Sequence, residues 1–266
     1  MGGPMKAIPV LMYHQVCEDG TFEPSEFIVS ASTFRRQLHY MAEHGFSTPR
    51  ISELLGQSWN SQDARKPVLL TFDDGYLNNY QVAFPILQEF GFTALISLVA
   101  DPRVRTNSWD AVKGIVEAPL MTPQHIREMA AHGIEFASHS YGHKSLPSLN
   151  DDQLMVEVVR SKETIEDLLG KKVEAMVYPY GDVDALVKRV VREAGYQCAF
   201  ATHSGPLDFY GDLFEIRRML IENNADVLYL RWMLSGGKKA FMWGVSLAKK
   251  LFGNHHPFQS EFLLGT

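Results

Sequence analysis

The stretch Lys66–Tyr76 has the sequence KPVLLTFDDGY, an apolar run that ends in two adjacent carboxylates and a glycine. A short apolar run bounded by proline and glycine indicates a strand buried on both faces, as in parallel sheets. Because sites of α/β proteins lie at the carboxyl ends of such strands, Asp73 and Asp74 are candidate site residues. One aspartate could cap the following helix, but two adjacent acids repel each other unless they share a cation or a proton. The pair therefore predicts a functional site.

The rest of the chain alternates short apolar strands with helices. Further strands are predicted over residues 8–14, 93–99, 134–138, 173–178, 197–202 and 214–221. Helices are predicted from Ser32 to about His44 and over residues 80–90, from the Thr122-Pro123 start to Gly133, from the Asn150 cap to Leu169, and over residues 183–194 and 225–234. About seven such units, without repeats or linkers, predict a parallel sheet closed into a barrel in one α/β domain. We place this domain at residues 1–236, followed by a C-terminal amphipathic helix and tail at 237–266.

Composition excludes several classes of protein. The chain has 266 residues, 45% of them hydrophobic, and a net charge of −6. An acidic balance argues against nucleic-acid binding, which needs a basic excess. Cys17 and Cys198 lie far apart and outside any metal-binding motif, so they predict two thiols in the fold. With no apolar run of eighteen residues and no stretch of signal length, the expected location is cytoplasmic.

Further polar side chains stand where predicted strands end. His14 follows the first strand, and His139 and His143 follow the strand at 134–138 in a segment that Gly142 makes a loop. Histidines four apart are a modest signal alone, since capping and surface histidines are common. With one carboxylate they form a three-ligand set suited to Zn²⁺ or a similar divalent ion, which leaves positions for water and substrate. The second aspartate could then act as a base. The long connection 101–120, which contains Trp109, is typical of loops that border a site.

Three motifs together resemble the polysaccharide deacetylase family. They are TFDDG at Thr71–Gly75, HSYGH at His139–His143 and YPYG at Tyr178–Gly181. The resemblance covers roughly residues 8–221, and it is to the carbohydrate esterases related to the nodulation-factor chitooligosaccharide deacetylase. It implies a distorted (β/α)₇ barrel and metal-dependent removal of N- or O-acetyl groups from sugars. The start Pro9–His14 is similar to the exopolysaccharide branch, which includes enzymes that deacetylate poly-N-acetylglucosamine.

The resemblance also assigns roles by position. It implies that Asp73 is the catalytic base and that Asp74, His139 and His143 bind a divalent metal. We expect Zn²⁺, with Co²⁺ or Ni²⁺ as alternatives. The backbone N–H of Tyr180 resembles the family's oxyanion donor.

The sequence departs from the family at two places. Val177 stands where many members have an arginine that holds the base aspartate. Arg217 or Arg218 could supply this cation from the last strand, and Arg218 matches the branch's usual arginine better. The late Leu-x-x-His motif that provides the general acid has no clear match. His203 and His14 both stand at strand ends, and either could substitute.

These observations predict a metal-dependent deacetylase that acts on N-acetylated sugars of a bacterial surface polysaccharide or its lipid-linked precursor. Two alternatives stay open, a hydrolase of another C–N bond such as a sugar deformylase, and a catalytically inactive sugar-binding relative. Residues 238–252 mix lysines with aromatic and apolar residues, as do helices that lie in a membrane interface. They predict a peripheral contact with the inner membrane, and the alternative is a terminal helix packed on the barrel.

Overall fold

The computed structural model describes residues 8–56, 65–113, 116–207, 209–223 and 225–235. The chain divides into two compact units, Met1–Ala225 and Asp226–Thr266. The second unit contributes one described helix, which Asp226 caps by accepting the Tyr229 N–H. The predicted amphipathic segment 238–252 lies outside the described residues.

Eight of the twelve strands in the described ranges form one sheet. In chain order the strands are β1 (Val10–Tyr13), β2 (Gln15–Cys17), β3 (Ile28–Ser30), β4 (Phe46–Ser47), β5 (Lys66–Pro67), β6 (Leu69–Phe72), β7 (Leu95–Leu98), β8 (Glu135–Ser138), β9 (Ala175–Val177), β10 (Cys198–Ala201), β11 (Ile216–Arg217) and β12 (Met219–Leu220). The order in the large sheet is β11-β10-β9-β8-β7-β6-β1-β12, and its pairings are parallel. The predicted parallel α/β barrel is confirmed.

The last extended segment bridges the two edges of this sheet and nearly closes it into a barrel. β11 and β12 are interrupted only at Arg218, and they pair with β10 and β1, which lie on opposite sides of the gap. Across the break, the Arg218 N–H donates to the Ala201 carbonyl at 3.2 Å. When the interrupted segment is counted once, the ring has seven strand positions. This agrees with the (β/α)₇ barrel that the sequence predicts.

The barrel strands have the composition of strands covered on both faces. All residues of β1, β6, β7 and β10 are buried. Each fully buried aliphatic or aromatic side chain stabilises the fold by about 1.5–3 kcal/mol. A polar residue is tolerated there only when it is hydrogen-bonded. Thr71, 1% exposed, meets this condition because its hydroxyl donates to the Leu11 carbonyl at 2.9 Å.

The helices occupy the connections between strands. They are α1 (Ala31–Glu43), α2 (Ile51–Leu55), α3 (Phe84–Phe90), α4 (Pro123–Ala131), α5 (Asp151–Met155), α6 (Ser161–Leu169), α7 (Ala185–Glu193) and, in the second unit, α8 (Val227–Leu234). Thr122 and Asn150 cap α4 and α5 as predicted, by accepting the backbone N–H three residues later. None of the described helices has the length and apolar character needed to cross a bilayer.

The local structure differs in detail from the predicted elements at three places. α1 begins at Ala31, one residue before the predicted start, and Ser30 caps it because its hydroxyl accepts the Thr33 N–H. The polar segment 18–30 predicts a loop, but its end forms β3, which pairs with β2 in a small parallel sheet. The helices predicted at 80–90 and 150–169 both contain a turn of π-helix, at Asn79–Ala83 and Val156–Arg160. Apolar periodicity does not reveal such turns.

Candidate active site

The carboxyl ends of neighbouring strands bring the predicted site residues to one edge of the barrel. Asp73 and Asp74 follow β6, His139 follows β8, and His14 follows β1. The short 3₁₀ turn Pro179–Gly181 follows β9. Because all strands of a parallel barrel end on the same side, residues distant in sequence meet there.

Three side chains converge on one point. The Asp74 Oδ1 atom lies 3.3 Å from His139 Nε2 and 3.2 Å from His143 Nε2, and the three residues are buried. Asp74 Oδ1 is shielded from solvent and has no hydrogen-bond partner among the described residues. An unpaired buried carboxylate oxygen facing two imidazole nitrogens is the arrangement expected when a cation lies between them. One oxygen and two nitrogen donors fit Zn²⁺ or a similar divalent ion.

The second nitrogen of each histidine has its own partner. His139 Nδ1 lies 2.8 Å from the Val177 carbonyl oxygen, and His143 Nδ1 lies 3.2 Å from the Tyr180 hydroxyl. Such contacts orient a ligand ring, and a carbonyl partner fixes the tautomer that leaves Nε2 for a metal. The Trp109 ring stacks on His143 with centroids 4.4 Å apart. The connection 101–120 therefore borders the site, as its length predicts.

The backbone of the site is strained. Asp74, Ser140, His143 and Tyr180 all have positive φ, at 72°, 61°, 55° and 61°. Non-glycine residues in this region are uncommon and persist where the surroundings hold them, often at functional sites. The strained residues lie in the three motifs singled out from the sequence.

Asp73 is a buried carboxylate with a full set of donors. The Arg218 guanidinium binds both its oxygens, with Nη1 2.6 Å from Oδ1 and Nη2 2.8 Å from Oδ2. The Ser97 hydroxyl donates to Oδ1 at 3.0 Å. Burial alone would raise the pKa of the Asp73 carboxyl, but Arg218 and the nearby His139 outweigh it and lower that pKa to about 2. Asp73 is therefore ionised beside the three candidate metal ligands. Its partner is Arg218, the arginine that the sequence analysis favours for this contact.

The Asp73–Arg218 pair predicts a non-additive effect on stability. We expect Arg218→Met to reduce the free energy of unfolding of metal-free protein by roughly 3–5 kcal/mol, because it leaves a buried carboxylate unpaired. Asp73→Asn leaves the buried guanidinium without its negatively charged partner and is also destabilising. The double variant, measured in the same urea titration, should lose less than the sum of the two single losses. Strictly additive losses would contradict a coupled buried pair.

The structure separates the two candidates for the general acid. The His14 Nδ1 atom is shielded from solvent, and its imidazole is within electrostatic range of Asp73, Asp74 and His139. Burial lowers the pKa of His14, although the two carboxylates oppose this. His203 is exposed. Among the described residues, the structure brings His14 but not His203 into the group.

Two residues of this environment were not identified from the sequence. Ser97 is the only polar residue of β7, and a lone serine in a strand buried on both faces is a usable signal. Glu157 is 1% exposed and accepts a hydrogen bond from the Gly142 N–H, in the loop that carries His139 and His143. Its partner is a backbone N–H distant in sequence, which no local pattern shows.

The arrangement is of the kind used in metal-assisted hydrolysis. With a divalent cation held by Asp74, His139 and His143, the ionised Asp73 beside it could take the proton of a bound water. This class of site agrees with comparisons to known proteins.

The family model described as polysaccharide deacetylase matches residues 60–199, so the chain belongs to the polysaccharide deacetylase family. YxkH of Bacillus subtilis (strain 168) is 26% identical over 216 residues, covering 80% of this chain and 71% of YxkH. The poly-β-1,6-N-acetyl-D-glucosamine N-deacetylase of Escherichia coli (strain K12) is 25% identical over 257 residues, covering 83% of this chain but 37% of that protein. The structure of Streptococcus pyogenes deacetylase PplD in complex with acetate matches with a TM-score of 0.73 at 25% identity, covering 86% of this chain and 98% of PplD.

Proposed function

We propose that the protein is a metal-dependent N-deacetylase that acts on N-acetylated sugars of a bacterial surface polysaccharide or its lipid-linked precursor. The proposal rests on one observation: a group of candidate metal ligands and an ionised carboxylate lie side by side at one edge of the barrel. Asp74, His139 and His143 offer three ligand atoms within 4.8 Å of one another, and the adjacent Asp73 is held ionised by Arg218. The relative that removes acetyl groups from poly-β-1,6-N-acetyl-D-glucosamine supports the choice of substrate.

A divalent cation bound by the three ligands would act as a Lewis acid toward the acyl oxygen and would lower the pKa of a bound water. Asp73 accepts a proton from the attacking water while the water oxygen forms a bond to the acyl carbon. Arg218 and Ser97 hold the Asp73 carboxylate in place, and Arg218 is therefore a positioning residue. The C–N bond then breaks, and the products are acetate and the amino sugar.

The oxyanion formed during this attack needs a donor. We assign it to the backbone N–H of Tyr180, in the Pro179–Gly181 turn beside His143. The turn requires glycine at its third residue, because Gly181 has φ 75° and a Cβ there would lie 2.7 Å from Thr202 Cβ. A preorganised backbone donor aimed at developing charge is worth about 10²–10³-fold in rate.

We assign protonation of the leaving amine to His14, which follows β1 at the same barrel edge. Asp73 and Asp74 lie within electrostatic range and favour the imidazolium form that donates the proton. We expect His14→Asn to slow release of acetate from an N-acetyl sugar by roughly 10²–10⁴-fold. Hydrolysis of 4-nitrophenyl acetate, whose leaving group needs no proton, should change little. His203→Asn is the matched control. If that variant instead loses acetate release from the sugar while it still hydrolyses 4-nitrophenyl acetate, the general acid is His203.

One experiment separates the proposed activity from its alternatives. β-1,6-Linked N-acetylglucosamine oligomers and their N-formyl counterparts are incubated with the wild-type protein, with Asp73→Asn as a blank, and acetate and formate are quantified. We expect acetate release by the wild-type protein. Formate release without acetate would identify a deformylase instead. Binding of oligomers with release of neither acid would identify a sugar-binding relative.

We further propose a peripheral location at the cytoplasmic face of the inner membrane, through residues 238–252. Two pairs of lysines there flank a stretch rich in aromatic and aliphatic residues. Each lysine near an anionic surface contributes about 1 kcal/mol of attraction. The full chain should sediment with anionic vesicles, and a chain ending at Ser235 should not. Equal sedimentation of the two proteins would contradict this location.

A further inference from the structure

At the end of α5 and the start of the π turn after it, a charged side chain is buried and two apolar ones are exposed. Glu157 is 1% exposed, whereas the preceding Met155 and Val156 are 48% and 47% exposed. Glutamate is almost never fully buried unless it is paired, so this reverses the usual pattern. The reversal falls at the π turn Val156–Arg160, where an extra residue shifts the phase of the helix. Such departures from local rules occur at functional sites, which indicates that Glu157 serves something other than packing.

The Glu157 carboxylate contacts the residues on both sides of His143. The Gly142 N–H donates to Glu157 Oε2 at 2.6 Å, and Lys144 Nζ lies 3.0 Å from Oε1. The Lys144 side chain is 56% exposed, whereas that of Glu157 is 2% exposed. A hydrogen bond from a backbone N–H to a buried carboxylate is among the stronger kinds, whereas a pair with an exposed lysine is weak. The Gly142 contact therefore dominates.

The loop that Glu157 holds is strained at two residues. Ser140 and His143 have φ of 61° and 55°. The first half of the loop is fixed by other groups, since Ala100 and Asp101 donate backbone N–H groups to the Ser140 and Tyr141 carbonyls. Glu157 contacts the second half of the loop, at the residues directly before and after His143. Trp109 and Tyr180 contact the His143 ring, but neither of those two contacts sets its backbone.

We propose that Glu157 is a positioning residue that holds the His143 backbone in the strained conformation needed for metal binding. This rests on the metal centre of the proposed function. Without the carboxylate, the Gly142 N–H loses its buried acceptor, and the loop can relax toward ordinary backbone angles. Nε2 of His143 then leaves the point that it shares with Asp74 and His139.

The test measures Zn²⁺ affinity of metal-free protein by competition with a chromophoric chelator. Loss of a group that orients a metal ligand typically lowers metal affinity by roughly 10–100-fold. We expect Glu157→Leu to weaken Zn²⁺ binding by about this factor. Glu157→Gln keeps an oxygen acceptor and should lose much less. Glu163→Leu, the same change at an exposed position of α6, should bind Zn²⁺ as the wild type does.

A second readout separates positioning from stability. The visible absorption spectrum of the Co²⁺-loaded protein reports ligand geometry, and Glu157→Leu should alter it while Glu163→Leu should not. If Glu157→Leu does not fold, Glu157→Asp keeps the charge but is one methylene too short for Gly142, and the same loss is expected. Wild-type Zn²⁺ affinity and an unchanged Co²⁺ spectrum in the folded variants would overturn the inference. Failure of the wild type to bind Zn²⁺ would instead overturn the metal centre.

Discussion

Replacing Asp73 with asparagine should reduce acetate release by roughly 10²–10⁴-fold, the usual contribution of a general base. Asparagine has nearly the same shape but cannot accept the proton of the attacking water. The metal should be retained, because the Asp73 oxygens are bound by Arg218 and Ser97 and not by the ligand cluster. The measurement pairs the rate with metal content per chain.

Two controls make this result specific. Circular dichroism establishes that Asp73→Asn is folded at the assay temperature, since loss of the charge partner of Arg218 costs stability. Ser97→Ala removes one hydrogen bond to Asp73 but keeps the carboxylate, and it should reduce the rate far less. If Asp73→Asn protein is folded but has lost its metal, Asp73 is itself a ligand and the assignment is wrong.

Replacing His143 with alanine should abolish both metal retention and activity. Two protein ligands remain in this variant, fewer than the three of typical catalytic zinc sites. Metal content after dialysis should fall from about one ion per chain to nearly none. His39→Ala, which removes a histidine whose side chain is 63% exposed on α1, is the matched control and should retain the metal. One tightly bound equivalent in His143→Ala would refute the ligand set.

Much of the site could be predicted because it is built on strand ends. Asp73, Asp74, His139 and Tyr180 each lie within three residues of the end of a buried strand, so the topology alone brings them together. The contact of Arg218 with Asp73 was also expected, because a buried base carboxylate needs a cation and the last strand offers one.

Other features could not be predicted because they depend on tertiary contacts. The last strand is interrupted at Arg218 where its pairing changes from β10 to β1, and the local sequence from β11 to β12 does not show this change. The π turn that buries Glu157 opposes the apolar pattern of its own helix. Ser97 and Glu157 bind groups far away in the chain, so their roles become visible only when the barrel is assembled.

The central claim is that a metal bound by Asp74, His139 and His143 is required to release acetate from an N-acetylated sugar. The most direct measurement is acetate release from N-acetylglucosamine oligomers by purified protein before chelation, after chelation, and after addition of one equivalent of Zn²⁺. We predict release, loss of release and recovery, in that order. Undiminished release by protein that metal analysis finds to be metal-free would contradict the account.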